Sequence, residues 1–307
     1  MYSCFSCSAG FTNMELNGGM KVQELKQAND LIKAYEKTFR KPLKAAKGKK
    51  LYTGVDLGTA YIVLAVVDED GTPVAGAMQF AEVVKDGLVV DYNGAMQIVK
   101  KLKAKIEKNI GEELELAGVA YPPGTDVSDC RAIRYVAEAC GFRVEYTMDE
   151  PTAANNVLHI KDGAVVDIGG GTTGIAVLKD GKVVSVDDEP SGGTHLSLVI
   201  AGAKGIPFLE AEKLKKDPAE HQGLLPIVRP VFEKMGSIVK KSIEGHKVDT
   251  IYLVGGTCCF EGVEGVMQKQ LGITVVKPDN PMLVTPLGIA LGSMIEGSKE
   301  NSLYEYE

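Results

Sequence analysis

The stretch that decides the fold is Val165-Val166-Asp167-Ile168-Gly169-Gly170-Gly171-Thr172-Thr173-Gly174. Its apolar start predicts a buried strand that ends near Asp167. Three consecutive glycines predict a turn with exposed backbone N–H groups, which a phosphate can approach closely. Asp167, at the strand end, is placed to hold a hydrated Mg²⁺ beside such phosphates. Because glycine-rich motifs also occur by chance, a hairpin turn with an aspartate cap stays open as the alternative.

A second copy of this design lies earlier in the chain, at Leu51-Tyr52-Thr53-Gly54-Val55-Asp56-Leu57-Gly58-Thr59-Ala60-Tyr61. Asp56 takes the place of Asp167, 111 residues upstream of it. Each copy continues into an apolar strand and then an Asp-Gly turn, at Asp70-Gly71 and Asp180-Gly181. Two such hairpins predict duplicated halves that face one another and hold the phosphates of a nucleotide from opposite sides.

The two hairpins resemble the first and second phosphate loops of the actin-like, DnaK-like and sugar-kinase ATPase superfamily. Other motifs of that superfamily have counterparts in the expected order. They are Glu150-Pro151-Thr152-Ala153-Ala154 for the first connecting helix, Ser191-Gly192-Gly193-Thr194-His195-Leu196 for a phosphate-side turn, Val254-Gly255-Gly256-Thr257 for the adenosine loop and Pro286-Leu287-Gly288-Ile289-Ala290-Leu291-Gly292 for the second connecting helix. Within the superfamily, residues 121–126, 148–153 and 230–235 resemble its ethanolamine utilization branch.

The resemblance implies an α/β protein with a duplicated actin-like ATPase (ribonuclease H-like) fold. Two mixed β-sheet subdomains with flanking helices would then surround a nucleotide cleft. The strand and helix pattern supports this, because the order strand-strand-strand-helix-strand-helix-strand recurs after Ala164. The expected segments are an N-terminal extension over 1–50 (disordered over 1–20, helical over 21–39), subdomain I over 51–150 and 286–298, subdomain II over 151–285, and an acidic tail over 299–307.

The resemblance also implies the roles of individual residues around ATP or ADP. Asp56, Glu150 and Asp167 would be catalytic, and Asp56 and Asp167 would hold Mg²⁺ through water. The residues expected to contact the nucleotide are Gly58, Thr59, Ala60, Tyr61, Gly169, Gly170, Gly171, Thr172, Thr173, Gly192, Gly193, Glu212, Lys215, Gly255, Gly256 and Thr257. Simpler roles stay open: the aspartates as strand-end caps, Glu150 as a helix-end acid, and Glu212 with Lys215 as an ordinary solvated helix face.

The chain departs from the superfamily pattern at three positions. Ala60 replaces the second threonine of the first loop, which predicts inefficient hydrolysis. Cys259 lies near the place of the arginine that stacks on adenine in DnaK-like proteins, and Leu287 replaces an acid of the second connecting helix. These two changes predict weaker adenine binding. His195, next to the glycine pair, is expected to be a structural histidine.

Composition excludes several classes of protein. The net charge of −7 disfavours non-specific binding to nucleic acid, which requires a basic surface. No apolar run approaches the length of a membrane span and no signal peptide is evident, so no membrane partner is expected. The six cysteines form no paired framework, which favours a reducing cytoplasm. Cys4-x-x-Cys7 is expected to lie in a disordered tail. Met14 and Met20 are expected to be alternative sites of translation initiation.

The resemblance implies an ATP-binding, chaperone-like accessory protein of ethanolamine utilization. Nucleotide-driven opening and closing of two halves would control a protein partner, either the ammonia-lyase or a component of a bacterial microcompartment, in the cytoplasm. A non-hydrolysing or polymerising scaffold and, less in keeping with the sequence, a small-molecule kinase are the alternatives. Whether the chain is an enzyme stays open, with weak hydrolysis of ATP to ADP and phosphate expected. The oligomeric state stays open too.

Overall fold

The computed structural model describes residues 25–44, 48–85 and 87–304, with side chains to residue 298. The predicted disorder of residues 1–20, the start of the predicted helix 21–39, the Cys4-x-x-Cys7 pair and residues 305–307 of the predicted tail lie outside these ranges. Across the described ranges, no helix combines the length and the apolar character needed to cross a membrane.

Five strands form the first sheet in the order β3-β2-β1-β6-β7. The first seven strands of the chain are β1 (Leu51–Leu57), β2 (Tyr61–Asp68), β3 (Pro73–Phe80), β4 (Val84–Lys85), β5 (Leu88–Val89), β6 (Leu116–Tyr121) and β7 (Arg143–Asp149). The hairpins make β1, β2 and β3 antiparallel, whereas β6 and β7 join β1 in parallel after helical crossovers. The short strands β4 and β5 pair with one another in a separate two-stranded sheet.

The second sheet repeats this arrangement in the order β10-β9-β8-β11-β12. Its strands are β8 (Gly163–Ile168), β9 (Thr173–Lys179), β10 (Lys182–Glu189), β11 (Thr250–Val254) and β12 (Thr274–Val276). Again the first three strands are antiparallel and the last two are parallel to the first. The prediction of a mixed sheet built twice is therefore confirmed, while the subdomain boundaries stay a prediction.

Nine α-helices lie within the described part of the chain. They are α1 (Lys26–Thr38), α2 (Tyr92–Ile110), α3 (Val127–Glu138), α4 (Glu150–Leu158), α5 (Gly193–Lys204), α6 (Phe208–Lys216), α7 (Pro218–Ser242), α8 (Val263–Leu271) and α9 (Val284–Tyr304). Helix α9 extends into the predicted acidic tail, because its last residues include good helix formers and no proline interrupts them. Single 3₁₀ turns occur at Gly256–Cys259 and Pro281–Leu283.

Helices α4 and α9 connect the two halves of the molecule and cross at very short range. A β-carbon on Gly288 of α9 would lie 1.9 Å from the carbonyl oxygen of Ala153 in α4. On its other side α9 touches the first sheet, where a β-carbon on Gly54 would lie 2.4 Å from the carbonyl oxygen of Pro286. Glycine at both positions allows the backbones to come into contact, whereas any side chain there would hold them apart. These contacts fix the starts of α4 and α9 relative to one another and to the first sheet.

Three large hydrophobic clusters and one small cluster make up the core of the described residues. One packs α2 and α3 on the first sheet, and a second packs α5, α7 and α8 on the second sheet. The third, which we call the seam, lies between the sheets and is built from α1, α4, α9 and strands of both halves. Ile32 and Tyr35 of α1 are fully buried in the seam, and the Tyr35 hydroxyl donates to the Leu64 carbonyl oxygen at 3.2 Å.

Helix α1 also makes polar contacts with the loop that leads from β12 to α9. Asn29 and Asp279 form two hydrogen bonds, at 3.2 and 3.0 Å. Lys33 pairs with the same aspartate at 2.7 Å, and Asn280 donates to Glu36 at 3.1 Å. The helix therefore joins the first sheet to a loop of the second half, behind the cleft.

Candidate functional site

The two glycine-rich loops face one cleft, with a cavity of about 90 Å³ between them. The first loop connects β1 to β2, and the second connects β8 to β9. Most of the residues that the sequence singles out line this cavity. They are Asp56, Gly58, Thr59, Ala60, Tyr61, Glu150, Asp167, Gly169, Gly170, Gly171, Thr172, Gly255 and Gly256.

The second loop is a tight turn that touches the first loop. Its turn is closed by a hydrogen bond from the Gly169 N–H to the Thr172 carbonyl oxygen at 3.0 Å. A β-carbon on Gly170 would lie 3.3 Å from the β-carbons of both Thr59 and Ala60. Gly170 therefore allows the loops to approach until their backbones are nearly in contact.

Three carboxyl groups meet at the base of the cleft. Asp56 and Asp167 are the last residues but one of β1 and β8, and Glu150 is the first residue of α4. Burial, together with the charge of Asp167, raises the pKa of Asp56 to about 7. Burial also raises the pKa of Asp167, although the Thr285 hydroxyl, which donates to it at 2.5 Å, limits the rise. Burial and the two aspartates raise the pKa of Glu150 well above its usual range.

The donor set fits a hydrated divalent cation. Among the described residues, no lysine or arginine forms an ion pair with Asp56, Glu150 or Asp167. Within the same ranges, no group of three or more histidine, cysteine, aspartate or glutamate side chains could bind a metal ion directly. Carboxylate oxygens suit Mg²⁺, which keeps several waters when it binds to proteins. A cation held through water would also offset the burial and the mutual repulsion that raise the pKa values of Asp56 and Glu150.

The predicted glycine turn lies behind the second loop rather than on the cavity wall. Gly193 N–H donates to the Gly169 carbonyl oxygen at 2.9 Å, and a β-carbon on Gly192 would lie 2.6 Å from the Gly170 carbonyl oxygen. The Thr257 hydroxyl donates to the same Gly169 oxygen at 2.7 Å. Gly192 and Gly193 thus support the shape of the second loop, because side chains there would displace it.

The expectation that the Thr173 hydroxyl contacts the phosphates needs correction. Thr173 is the first residue of β9 and is fully buried, and its hydroxyl donates to the Ser191 carbonyl oxygen at 2.5 Å. Thr172, in the turn just before β9, lines the cavity, whereas Thr173 does not. The hydroxyl of Thr173 joins the second loop to the turn before α5.

A larger cavity of about 300 Å³ continues from the cleft into the second half. Its walls are both apolar and charged. They comprise Ala60, Tyr61, Gly170, Leu196, Glu212, Lys215, Lys216, Pro218, His221, Gly256, Thr257, Cys259, Phe260 and Met282. Glu212 and Lys215 pair with one another at 2.6 Å, and Lys215 also donates to the Gly193 carbonyl oxygen at 3.0 Å. Both predicted residues therefore lie at this cavity, already engaged with their own half.

The structure adds residues that the sequence did not reveal. Thr285 binds Asp167 from the start of α9, and only its place before a proline marks it in the sequence. Burial raises the pKa of Asp188 to about 7, while a hydrogen bond with Thr172 opposes the rise; the acidic run 187–189 was the only signal. Lys216 reaches across the cleft and has no distinguishing signal within a lysine-rich segment.

Known proteins share this architecture. The model of the MreB/Mbl protein family matches residues 74–202, and that of the cell division protein FtsA family matches residues 164–288. The structure of MreB5 of Spiroplasma citri bound to AMPPNP superimposes with a TM-score of 0.68 at 15% identity, covering 84% of this chain and 99% of that one. At this identity the match shows the fold, which is that of the actin-like ATPases.

More similar proteins share one description. Ethanolamine utilization protein EutJ of Escherichia coli K12 is 43% identical over 247 residues, which are 80% of this chain and 87% of that protein. EutJ of Salmonella typhimurium LT2 is 42% identical over the same length. The crystal structure of EutJ from Carboxydothermus hydrogenoformans has a TM-score of 0.79 and 48% identity, covering 88% of this chain and 98% of that one. The chain, with its duplicated sheets and paired loops, belongs to the EutJ family of ethanolamine utilization proteins.

Proposed function

We propose that the chain binds ATP and ADP with Mg²⁺ in the cleft and hydrolyses ATP slowly. Binding and hydrolysis would change the angle between the two halves and so the affinity for a partner protein. The observation that carries this proposal is the approach of two glycine-rich loops above three carboxyl groups that have no basic partner among the described residues. Backbone N–H groups and hydroxyls suit phosphates, and the carboxylates suit the cation that accompanies them.

Each part of the cleft has its own task in this proposal. The loops at 58–60 and 169–172 would bind the phosphates from opposite halves, while Asp56 and Asp167 would hold Mg²⁺ through water. When bound, Mg²⁺ neutralises phosphate charge and lowers the barrier to phosphoryl transfer. Glu150 lines the same cavity and is placed to orient a water molecule near the cation. The cavity beside Glu212 and Lys215 would take the nucleoside.

Isothermal titration with Mg-ATP and Mg-ADP tests the nucleotide site. Wild-type protein is expected to bind in the micromolar range, and the Asp56→Ala, Asp167→Ala double variant is expected to bind at least tenfold more weakly. A matched control is Asp30→Ala, Asp249→Ala, which removes two exposed acids away from the cleft. Absence of binding at millimolar nucleotide, or equal binding by both double variants, would overturn the proposal.

Membership of the EutJ family directs the search for the partner to ethanolamine catabolism. We propose a chaperone-like or reactivating role toward the ammonia-lyase or a component of a bacterial microcompartment, in the cytoplasm. Surface-immobilised candidate proteins should bind this chain with affinities that differ between ATP and ADP. Equal affinity in both nucleotides would refute a nucleotide-driven switch, because a ligand shifts an equilibrium only through differential affinity. Phosphate transfer to a metabolite instead of water would indicate a small-molecule kinase.

A second candidate function is a nucleotide-binding scaffold that assembles into polymers. One observation favours it: helix α5 is apolar around most of its circumference, and Leu198 and Val199 are exposed on its outer face. Exposed apolar helix faces of this kind occur at protein interfaces. Sedimentation with and without ATP tests this candidate, and a chain that stays in the supernatant under both conditions would exclude it.

A further inference from the structure

A lysine of the second half lies over two aromatic rings of the first half, at the mouth of the cleft. The Lys216 Nζ, at the end of α6, is 4.8 Å from the centre of the Tyr61 ring and 4.4 Å from that of Phe80. These aromatic residues pair across β2 and β3, and their rings meet edge to face at 5.6 Å. Both ring contacts are within the range of cation–π attraction.

The ammonium group is also anchored within its own half. Lys216 pairs with Glu212 at 2.9 Å, and the Glu212 carboxylate is buried. Lys215 at 2.6 Å and the Ser197 hydroxyl at 2.5 Å fix that carboxylate in turn. These contacts hold the Lys216 ammonium group in place opposite the rings, whereas an unanchored surface lysine would sample many rotamers.

This contact lies where a ligand must pass. Tyr61 lines both the cavity between the loops and the larger cavity beside it. Next to it, Gly170 is so close to Thr59 and Ala60 that a β-carbon there would be 3.3 Å from theirs. Movement of the halves apart would widen the space for phosphates between these loops, and the same movement would draw Lys216 away from the rings.

We propose that Lys216, Tyr61 and Phe80 form a latch across the cleft, which limits how fast a nucleoside polyphosphate binds and leaves. This inference rests on the proposed nucleotide site and concerns its regulation. Separation of the halves would break both ring contacts at once, while the pairing with Glu212 stays intact. A cation–π contact of ordinary strength corresponds to roughly a three- to tenfold effect on the rate of opening.

The test compares Lys216→Met with Lys213→Met, an exposed lysine of the same helix. Methionine keeps the apolar stem and removes the charge. Stopped-flow measurements with a fluorescent ATP analogue should show association and dissociation rates that both rise about three- to tenfold in Lys216→Met, with little change in Kd. Lys213→Met should match the wild type. A faster dissociation with unchanged association would overturn the latch, since it would make Lys216 a direct ligand contact.

Hydrogen exchange without nucleotide separates the latch from the proposed function. In Lys216→Met, amides of the loops at 57–61 and 169–172 should exchange several-fold faster than in the wild type and in Lys213→Met. Unchanged exchange would overturn the latch even if nucleotide binds. Faster exchange in a protein that binds no nucleotide would support the contact between the halves and overturn the proposed function instead.

Discussion

Substitution of Gly288 by alanine is expected to force the two connecting helices apart. The new β-carbon would lie 1.9 Å from the Ala153 carbonyl oxygen, whereas ordinary contacts begin at 3.4 Å. The backbones must therefore separate by about 1.5 Å, the difference between those two distances. Because the obstacle is backbone, no side-chain rotamer relieves it.

Overpacking of this kind costs about 1–3 kcal/mol and more where the backbone must move, and alanine returns up to about 1 kcal/mol of helix propensity. We expect a net loss of about 3 kcal/mol for Gly288→Ala, which lowers Tm by roughly 5 °C in a chain of this size. The matched control is Gly202→Ala in α5, where nothing beyond the chain neighbours and the backbone of the helix itself lies within 4 Å of the added carbon. That variant should gain about 0.5–1 kcal/mol.

Thermal unfolding followed by circular dichroism measures both variants, and titration with Mg-ATP measures the site. Since α4 begins at Glu150 and α9 begins just before Thr285, Gly288→Ala should also weaken nucleotide binding. If Gly288→Ala unfolds at or above the wild-type temperature, the close crossing of α4 and α9 does not hold the halves in the way described.

Three further substitutions have expected outcomes. Asp149→Ala should destabilise the chain by about 1 kcal/mol in urea unfolding, because Asp149 caps α4 through the Thr152 N–H at 2.9 Å; no loss would contradict that cap. Thr285→Val should cost about 1–3 kcal/mol, because it leaves buried Asp167 without its hydroxyl donor, and Thr285→Ser should restore most of it. Asp56→Asn should be more stable than the wild type at pH 8, with the gain vanishing toward pH 4. A raised carboxyl pKa, here about 7, means that the folded state binds extra protons between pH 4 and 7 and loses stability as pH rises through that window. The full shift corresponds to about 4 kcal/mol, and partial exposure of Asp56 to the cleft reduces the expected gain to about 2 kcal/mol. Urea unfolding across the pH range measures it, and a gain that grows toward low pH would contradict this sign.

The fold could be predicted because its determinants are local. Apolar strands, Asp-Gly turns and the glycines after Asp56 and Asp167 lie within short windows, and each window specifies its own hairpin. Repetition of the pattern then specified the second sheet. The position of the glycine-rich loops at the cleft could be predicted for the same reason, because a loop that follows a strand lies at the edge of the sheet.

The rest of the site depends on contacts between distant residues, which the spacing of residues along the sequence does not predict. Thr172 and Thr173 are identical neighbours, yet only Thr172 lines the cavity, because Thr173 is already part of β9 and its hydroxyl donates to Ser191. Thr285 meets Asp167 across 118 residues of sequence, because the packing of α9 against α4 and the first sheet brings them together. Lys216 finds its aromatic partners in the other half of the molecule. Such pairs follow from how the halves pack.

The seam has a consequence for how the chain folds during synthesis. Helix α1 leaves the ribosome early, yet Asn29 bonds to Asp279, 250 residues later. At about 5–20 residues per second, α1 waits roughly 10–50 s before its partners exist. Throughout that time the apolar face that carries Ile32 and Tyr35 lacks the α9 part of its burial. The packing of α1 is therefore completed late in synthesis. Chains stalled before α9 should expose α1 to chaperones and proteases.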